Sequence, residues 1–313
     1  MSAPETRILP ADAAGIAEAA RLVRDGSPVA VPTETVYGLA ADATSGEAVA
    51  RIYAAKGRPR FNPLIVHVPG LAEAERLARF DPVSRGLADR FWPGPLTLVV
   101  SLREEAGIST LATAGLSTIA LRSPAHPVMR ALIEAAGKPL AAPSANASGR
   151  ISPTRAEHVL DSLGGRIPLI LDGGATAHGV ESTIVVITDG CARLLRPGPI
   201  AAEELGIPSG PPALLDGAVE APGQLPSHYA PAKPLRLHAA DARDGEWLIG
   251  FGPVAGHASL SPSGDLVEAA ANLFDLLHQA DRQDLARIAV APVPGTGLGA
   301  AINDRLRRAA APR

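Results

Sequence analysis

A single cysteine, Cys191, stands in 313 residues, which excludes an internal disulfide and any zinc site built on several thiolates. A reducing compartment fits that usage, and the chain reads as soluble and cytoplasmic. Aromatic residues are scarce at 3%, so Ala, Leu, Val and Ile must build the interior, and the stacking platforms that bind single-stranded RNA are missing. Positive charge is not in excess. The formal net charge of -3 supplies no overall field for nucleic acid or an anionic membrane, while leaving room for a local basic pocket. No apolar run approaches the ~20 residues needed to span a bilayer, and residues 1–23 lack the charged region and unbroken apolar core of a secretory signal. GxxxxGK(S/T), HExxH and GxSxG do not occur, which removes motif support for a Walker nucleotide loop, a zinc protease and a serine hydrolase. The late GTGLGAA lacks the spacing GxGxxG and reads as a turn before the last helix.

What is present belongs to a globular chain: 46% hydrophobic and 19% charged residues over a length that allows two domains. From residue 28 to about 200, short β-rich runs alternate with helical stretches. Strands are expected at Val29–Pro32, Leu64–Val68, Leu96–Leu102, Thr118–Arg122, Pro139–Ala142, Leu169–Leu171, Thr183–Ile187 and Arg193–Leu195. Helix Gly46–Lys56 is marked by Val49, Ile52 and Tyr53 at helical spacing, with Ser45 as N-cap and Gly57 as stop, and Pro127–Ala136 ends likewise at Gly137. This alternation predicts an α/β domain with a large sheet. Pro208, Pro211, Pro212, Pro222, Pro226, Pro231 and Pro234 forbid continuous helix or central strand. The chain therefore divides into a first domain at 1–206, a linker at 207–234 and a second domain at 235–313. Strands at Leu235–His238, Trp247–Phe251 and Ile288–Ala291, a helix face of Leu266, Ala270, Leu273 and Leu277, and a last helix Ala300–Ala311 make the second domain Rossmann-like.

Six stretches carry candidate chemistry. PTETVYGLAADA, 32–43, offers Thr33, Glu34, Thr35 and Tyr37 in a loop closed by Gly38, which suits either a small polar ligand or an ordinary strand-to-helix turn. KGRPRFNPLIVHV, 56–68, clusters Lys56, Arg58 and Arg60 and adds Asn62 and His67. Point charge and planar fork together suit a triphosphate, and a solvated basic helix end fits equally. PLAAPSANASGRISPT, 139–154, sets Ser144, Asn146, Ser148, Gly149 and Ser152 after a strand. Small residues let a backbone approach phosphates; the alternative is a turn into a helix Thr154–Leu163 capped by Thr154, and the concentration of five favours a ligand. GVESTIVVI, 179–187, and LLRPGPI, 194–200, repeat small polar groups or Arg beside a strand, and Arg122 ends the apolar STIALR. A buried cation there needs a carboxylate or phosphate ligand or an internal salt bridge.

Taken in order, PTETVYGL, KGRPRFNPLIVHV, WPGPLT, PSANASGRISPT, ESTIVV and RPG resemble the YrdC-type threonylcarbamoyl-AMP synthase family over nearly all of residues 8–206. SHYAPAKPL and GLGAAINDRLRRAA are similar to its longer form, in which a linker leads to a C-terminal Rossmann-like domain. The resemblance implies a large twisted mixed sheet with a concave basic face holding ATP beside L-threonine. It implies that Lys56 and Arg58 are the catalytic cations, and that Arg58, Asn62, Thr118, Ser144, Asn146, Ser152, Arg196 and Tyr229 contact ATP. Thr35, His67, Arg122, Ala142 and Ser182 are then expected to hold threonine.

The implied activity is synthesis of L-threonylcarbamoyladenylate and pyrophosphate from L-threonine, bicarbonate and ATP, the first step of N6-threonylcarbamoyladenosine formation in tRNAs that read codons starting with A. Mg²⁺ is expected to ride on the phosphates, because no carboxylate cluster forms a protein cage. Threonylcarbamoyl-transferase machinery is the expected recipient of the product, with no stable nucleic-acid or membrane binding. His228 and Tyr229 are expected to fold over the nucleotide as a lid. Two features depart from the family pattern: Gln224, Leu225, Pro226 and Ser227 replace a Met-Lys-Tyr-Arg-like run, and Ile187 stands where relatives often place an acid. The competing readings, an RNA-binding module and carbamoyl transfer to another acceptor, lack their marks: a basic or aromatic surface, and acylphosphatase and zinc-finger-like modules.

Overall fold

The computed structural model describes residues 5–59, 61–188, 190–207 and 228–312. Arg60, linker residues 208–227 with their five prolines, and the departures Gln224, Leu225, Pro226 and Ser227 lie outside the described residues.

The large sheet runs in the order Arg7–Pro10, Leu169–Asp172, Val29–Val31, Gly38–Asp42, Leu140–Ala141, Ile65–His67, Thr118–Arg122, Leu96–Leu102, Thr183–Thr188 and Cys191–Arg196, with Ala78–Arg79 pairing beside Leu96–Leu102. It is mixed. Ile65–His67 runs parallel to Thr118–Arg122 and antiparallel to Leu140–Ala141, and Thr183–Thr188 runs parallel to Leu96–Leu102. The runs rich in Val, Ile and Leu form these strands because branched side chains pack well on a pleated, buried surface.

Side-chain alternation assigns the faces. Val29, Val31, Ala40, Leu169 and Leu171 join one cluster with Val23 of helix Ala13–Arg24 and Leu132 of helix Pro127–Ala136. Their neighbours Ala30, Leu39, Ala41 and Ile170 point the other way, into the main core with Ile52 of helix Gly46–Lys56 and Val159 of helix Ala156–Leu163. In the other half of the sheet Val66, Leu98, Leu121 and Val185 continue that main core. Ile65, Val99, Ala120, Ile184, Val186 and Leu195 form a separate cluster of strand residues alone. Chemistry collects on this face: His67 lies two residues from Ile65, Arg122 two from Ala120 and Ser182 two from Ile184.

The C-terminal residues form a second, four-stranded parallel sheet in the order Leu235–Arg236, Arg287–Val290, Glu246–Gly250 and Ala258–Ser259. Helices Leu266–Asp281 and Leu298–Ala309 accompany it. Its core is shared with the first sheet's loops, since Val36, Ile151, Val180 and Tyr229 belong to the same cluster as Leu273, Phe274 and Ile302.

Three local expectations change. Gly38 opens strand Gly38–Asp42, which pairs antiparallel with Val29–Val31, so Thr33–Tyr37 bridges a hairpin rather than leading to a helix. Thr154 does not cap the following helix. That helix begins at Ala156 with Arg155 at the cap and no side-chain cap bond, and the Thr154 N–H donates to His158 Nδ1 instead. The last helix begins at Leu298, with Gly297 of GTGLGAA at its N-cap. By contrast Ser45 accepts from Ala48 N at 3.2 Å, and Gly57 and Gly137 close their helices at φ 60° and 66°, conformations that cost Gly little.

Candidate active site

The hairpin loop, the helix-free face and the serine-rich loop meet around one cavity. Thr33, Thr35 and Val36 come from the hairpin, Ile65, His67 and Arg122 from the sheet, and Ala142, Pro143 and Ser144 from the segment after Leu140–Ala141. Glu181, Ser182 and Arg196 line the side formed by the last two strands of the sheet, Arg58 comes from the helix end, and His228 and Tyr229 complete the lining. The room inside is about 40 Å³, enough for a few waters.

Each guanidinium nitrogen of Arg122 makes one hydrogen bond, which uses three of its five N–H donors. Its Nη2 donates to Glu34 Oε1 at 2.7 Å, its Nη1 to Thr35 Oγ1 at 3.0 Å and its Nε to the Gly94 carbonyl at 3.3 Å. Of the two sequence alternatives for this cation, the structure contains the salt bridge. Burial pushes the Glu34 carboxyl up, but the charge and hydrogen bond of Arg122 prevail and hold it at about 2. His67 is driven down to about 3 by burial and by Arg122, so it is a neutral imidazole.

Arg196 donates from Nε to the Ser182 carbonyl and from Nη2 to Ser182 Oγ, both at 3.0 Å, and Thr97 Oγ1 lies 2.8 Å from the same hydroxyl. Gly198, the glycine of RPG, permits this approach, because a Cβ there would collide with the Thr183 backbone nitrogen. Arg58 donates to the carbonyls of Asn62 and Pro63, and burial pulls its guanidinium down to about 10.

Five predicted residues lie outside the cavity lining. Lys56 is buried, and its Nζ donates to the carbonyls of Ser144 and Asn146, so it anchors the serine-rich loop from behind. Burial and the nearby Arg58 push its ammonium well below the usual lysine range. The Asn146 amide nitrogen donates to the carbonyls of Ala147 and Arg150, and Ser152 Oγ donates to Glu181 Oε1. Asn62 is buried at the Arg58 turn. Thr118 shares the sheet face of Arg122, but four residues along the strand put it about 13 Å away.

Several buried polar atoms have no hydrogen-bond partner among the described residues: Nδ1 of His67 and of His228, the Tyr229 hydroxyl, and Oδ1 of Asn62 and of Asn146. Orphans of this kind are few in a native interior and cost free energy. Those of His67, His228 and Tyr229 belong to the cavity lining, where a polar ligand would satisfy them. Sequence reasoning missed Glu181 and Arg305 as parts of the site. Glu181 was legible as an acid inside the apolar run GVESTIVVI, whereas Arg305 sits 124 residues away in sequence from the carboxylate it meets.

The family described as "Telomere recombination" (Sua5_yciO_yrdC) matches residues 21–198, and "Threonylcarbamoyl-AMP synthase, C-terminal domain" matches residues 200–311. The threonylcarbamoyl-AMP synthase of Bacillus subtilis is 41% identical across 95% of this chain and 93% of its own. That of Pyrococcus abyssi is 41% identical across 93% and 92%. Among solved structures, P. abyssi Sua5 complexed with L-threonine superposes with a TM-score of 0.87 at 39% identity, covering 98% of this chain and 97% of the other.

Proposed function

The chain belongs to the threonylcarbamoyl-AMP synthase family, and from that premise we propose that the cavity is where L-threonine and ATP meet. Its activity is a nucleotidyl transfer that makes L-threonylcarbamoyladenylate, the first step of N6-threonylcarbamoyladenosine synthesis. One observation carries the site assignment: Thr35, His67, Arg122, Ala142 and Ser182, expected to hold threonine, line the same cavity as Arg58, Ser144, Arg196 and Tyr229, expected to hold ATP.

In the proposed reaction the threonine amine first bonds to the bicarbonate carbon, and the C–OH bond breaks with loss of water to leave a carbamate. A carbamate oxygen then bonds to the α-phosphorus of ATP, and the bond to pyrophosphate breaks with the electron pair leaving on pyrophosphate. No enzyme nucleophile is needed. Two anions must be brought together, so positioning and charge neutralisation supply the rate. Arg122, with Thr35 beside it, faces the threonine carboxylate. Ser182, held by Arg196, links the amino-acid side to the nucleotide side. Lys56 fixes the Ser144–Asn146 backbone that approaches the phosphates, and Asn62, Asn146 and Ser152 support the same wall. Thr118 lies further along the sheet face, towards the far end of the nucleotide.

Among the described residues no group of three or more His, Cys, Asp or Glu side chains is placed to hold a metal ion, and we assign Mg²⁺ to the phosphates of ATP. His228 and Tyr229 act as a lid that shields the carbamate and the mixed anhydride from water. We assign catalysis to residues 1–206, the lid-bearing linker to 207–234 and a supporting domain to 235–313. No helix among the described residues is long and apolar enough to cross a membrane, and we place the enzyme in the cytoplasm, handing its product to a threonylcarbamoyl transferase. The test is incubation with ATP, L-threonine and bicarbonate, each omitted in turn, with mass detection of adenylate and pyrophosphate. Product is expected only with all three, and product without threonine or without bicarbonate overturns the assignment.

A further inference from the structure

The largest fully buried side chain among the described residues is a charged one, Arg305, at 0% exposure. It belongs to the last helix, Leu298–Ala309, and crosses into the catalytic half. Its Nε donates to Glu181 Oε2 at 2.8 Å, its Nη1 to the Pro197 carbonyl at 2.9 Å and to Asp304 Oδ2 at 2.9 Å, and its Nη2 to the Glu181 carbonyl at 3.3 Å. Its guanidinium carbon lies 5.3 Å from the centre of the Tyr229 ring. One turn on, the Arg308 carbonyl accepts from His228 N at 3.2 Å. One helix thus grips the carboxylate that lines the cavity, the carbonyl next to Arg196, and both residues of the lid.

Taking the ATP site as proposed above, we infer that Arg305 is a positioning residue for the nucleotide, contributed by the C-terminal domain. It clamps and neutralises Glu181, so that a carboxylate in the cavity wall neither repels the triphosphate nor draws the wall's cations to itself. Two carboxylates bear on the cavity: Glu34, which lies against the lining residue Arg122, and Glu181, which is itself part of the lining. Arg122 matches the first, and Arg305, standing behind the wall, matches the second. Glu181 also orients Ser152, which donates to its other oxygen. Both oxygens are thereby committed, one to each half of the protein. Stability alone does not account for this arrangement, because a buried ion pair is generally no better than apolar residues of the same volume.

The experiment measures the affinity of the full-length protein for a non-hydrolysable ATP analogue by calorimetry, and the KM values for ATP and threonine, in Arg305→Met, Glu181→Gln and the double variant. Arg305→Met is expected to weaken analogue binding about tenfold or more, the order of a typical coupling between sites, and to raise KM for ATP more than KM for threonine. Adding Glu181→Gln is expected to recover most of that loss, since the cavity wall then holds no carboxylate without its partner, and Asp304 keeps Arg308. Should Arg305→Met fail to fold, Glu181→Gln and the double variant decide: equal affinities support the clamp. A double variant far weaker than Glu181→Gln, or Arg305→Met binding the analogue like the wild type, overturns it. Analogue binding is read independently of product, so a wild-type protein that binds the analogue and makes no adenylate counts against the proposed function and not against the clamp.

Discussion

Arg122 Nη2 stands 2.7 Å from Glu34 Oε1 of the hairpin loop, and both side chains are buried. The pair holds the guanidinium plane still, with Thr35 Oγ1 as a third member. Arg122→Lys keeps the charge and loses the fork. The expected outcome is a rise of about tenfold in KM for threonine with a smaller change for ATP, read from initial rates with the other substrate saturating. Equal rises for both substrates would mark Arg122 as a structural residue.

Arg58 and Lys56 are expected to fail differently. Arg58→Ala removes a cation from the cavity wall, and adenylate formation should fall on the order of 100-fold at saturating ATP. Lys56→Ala releases the Ser144 and Asn146 carbonyls, so it should lower thermal stability as well as activity by leaving buried acceptors unpaired. Rates near wild type in both variants would put the nucleotide elsewhere.

Tyr229 adopts φ 62° and packs 4.1 Å from the His228 ring and 5.6 Å from Phe274. Tyr229→Ala should lower stability, because it empties a buried core position, and in the folded protein it should lower adenylate yield severalfold and increase hydrolytic loss of product, because water then reaches the mixed anhydride. The ratio of AMP to adenylate, followed over time by mass spectrometry, checks this. An unchanged ratio makes the segment a tether.

Burial drives His67, His228 and His278 down to about 3. Their unfolded value is 6.5, so between about 6.5 and 3 the unfolded chain binds more protons and stability falls as pH falls. Each contributes a slope of up to about 1.4 kcal/mol per pH unit inside that window. His278 stacks 3.9 Å from His158, which faces Asp275, and its Nε2 meets the Ser152 carbonyl at 3.2 Å. His278→Gln should flatten the dependence of Tm on pH below about 6; an unchanged slope refutes the buried neutral imidazole.

The strands and helix stops were legible because local rules decide them: alternating branched residues, Ser45 at a cap, Gly57 and Gly137 at left-handed stops. Thr154 misled because a Thr before a helix reads as a cap, whereas the buried His158 ring takes the Thr154 N–H. Motif reading found most of the cavity lining, since Thr35, Arg58, His67, Arg122, Ser144 and Ser182 each sit in a compact stretch beside a strand. It could not tell a residue that faces the cavity from one behind its wall, as with Lys56 and Ser152, because that depends on which carbonyl or carboxylate the fold brings up. Arg305 was invisible for the same reason, its partner being supplied by tertiary packing alone.

The central claim is that a carbamate made from threonine and bicarbonate attacks the α-phosphorus of ATP. Exchange of labelled pyrophosphate into ATP reads that step in reverse. The account predicts exchange only when L-threonine and bicarbonate are both present, and its loss in Arg58→Ala. Exchange supported by threonine alone would show that the amino-acid carboxylate is the nucleophile and would contradict the account.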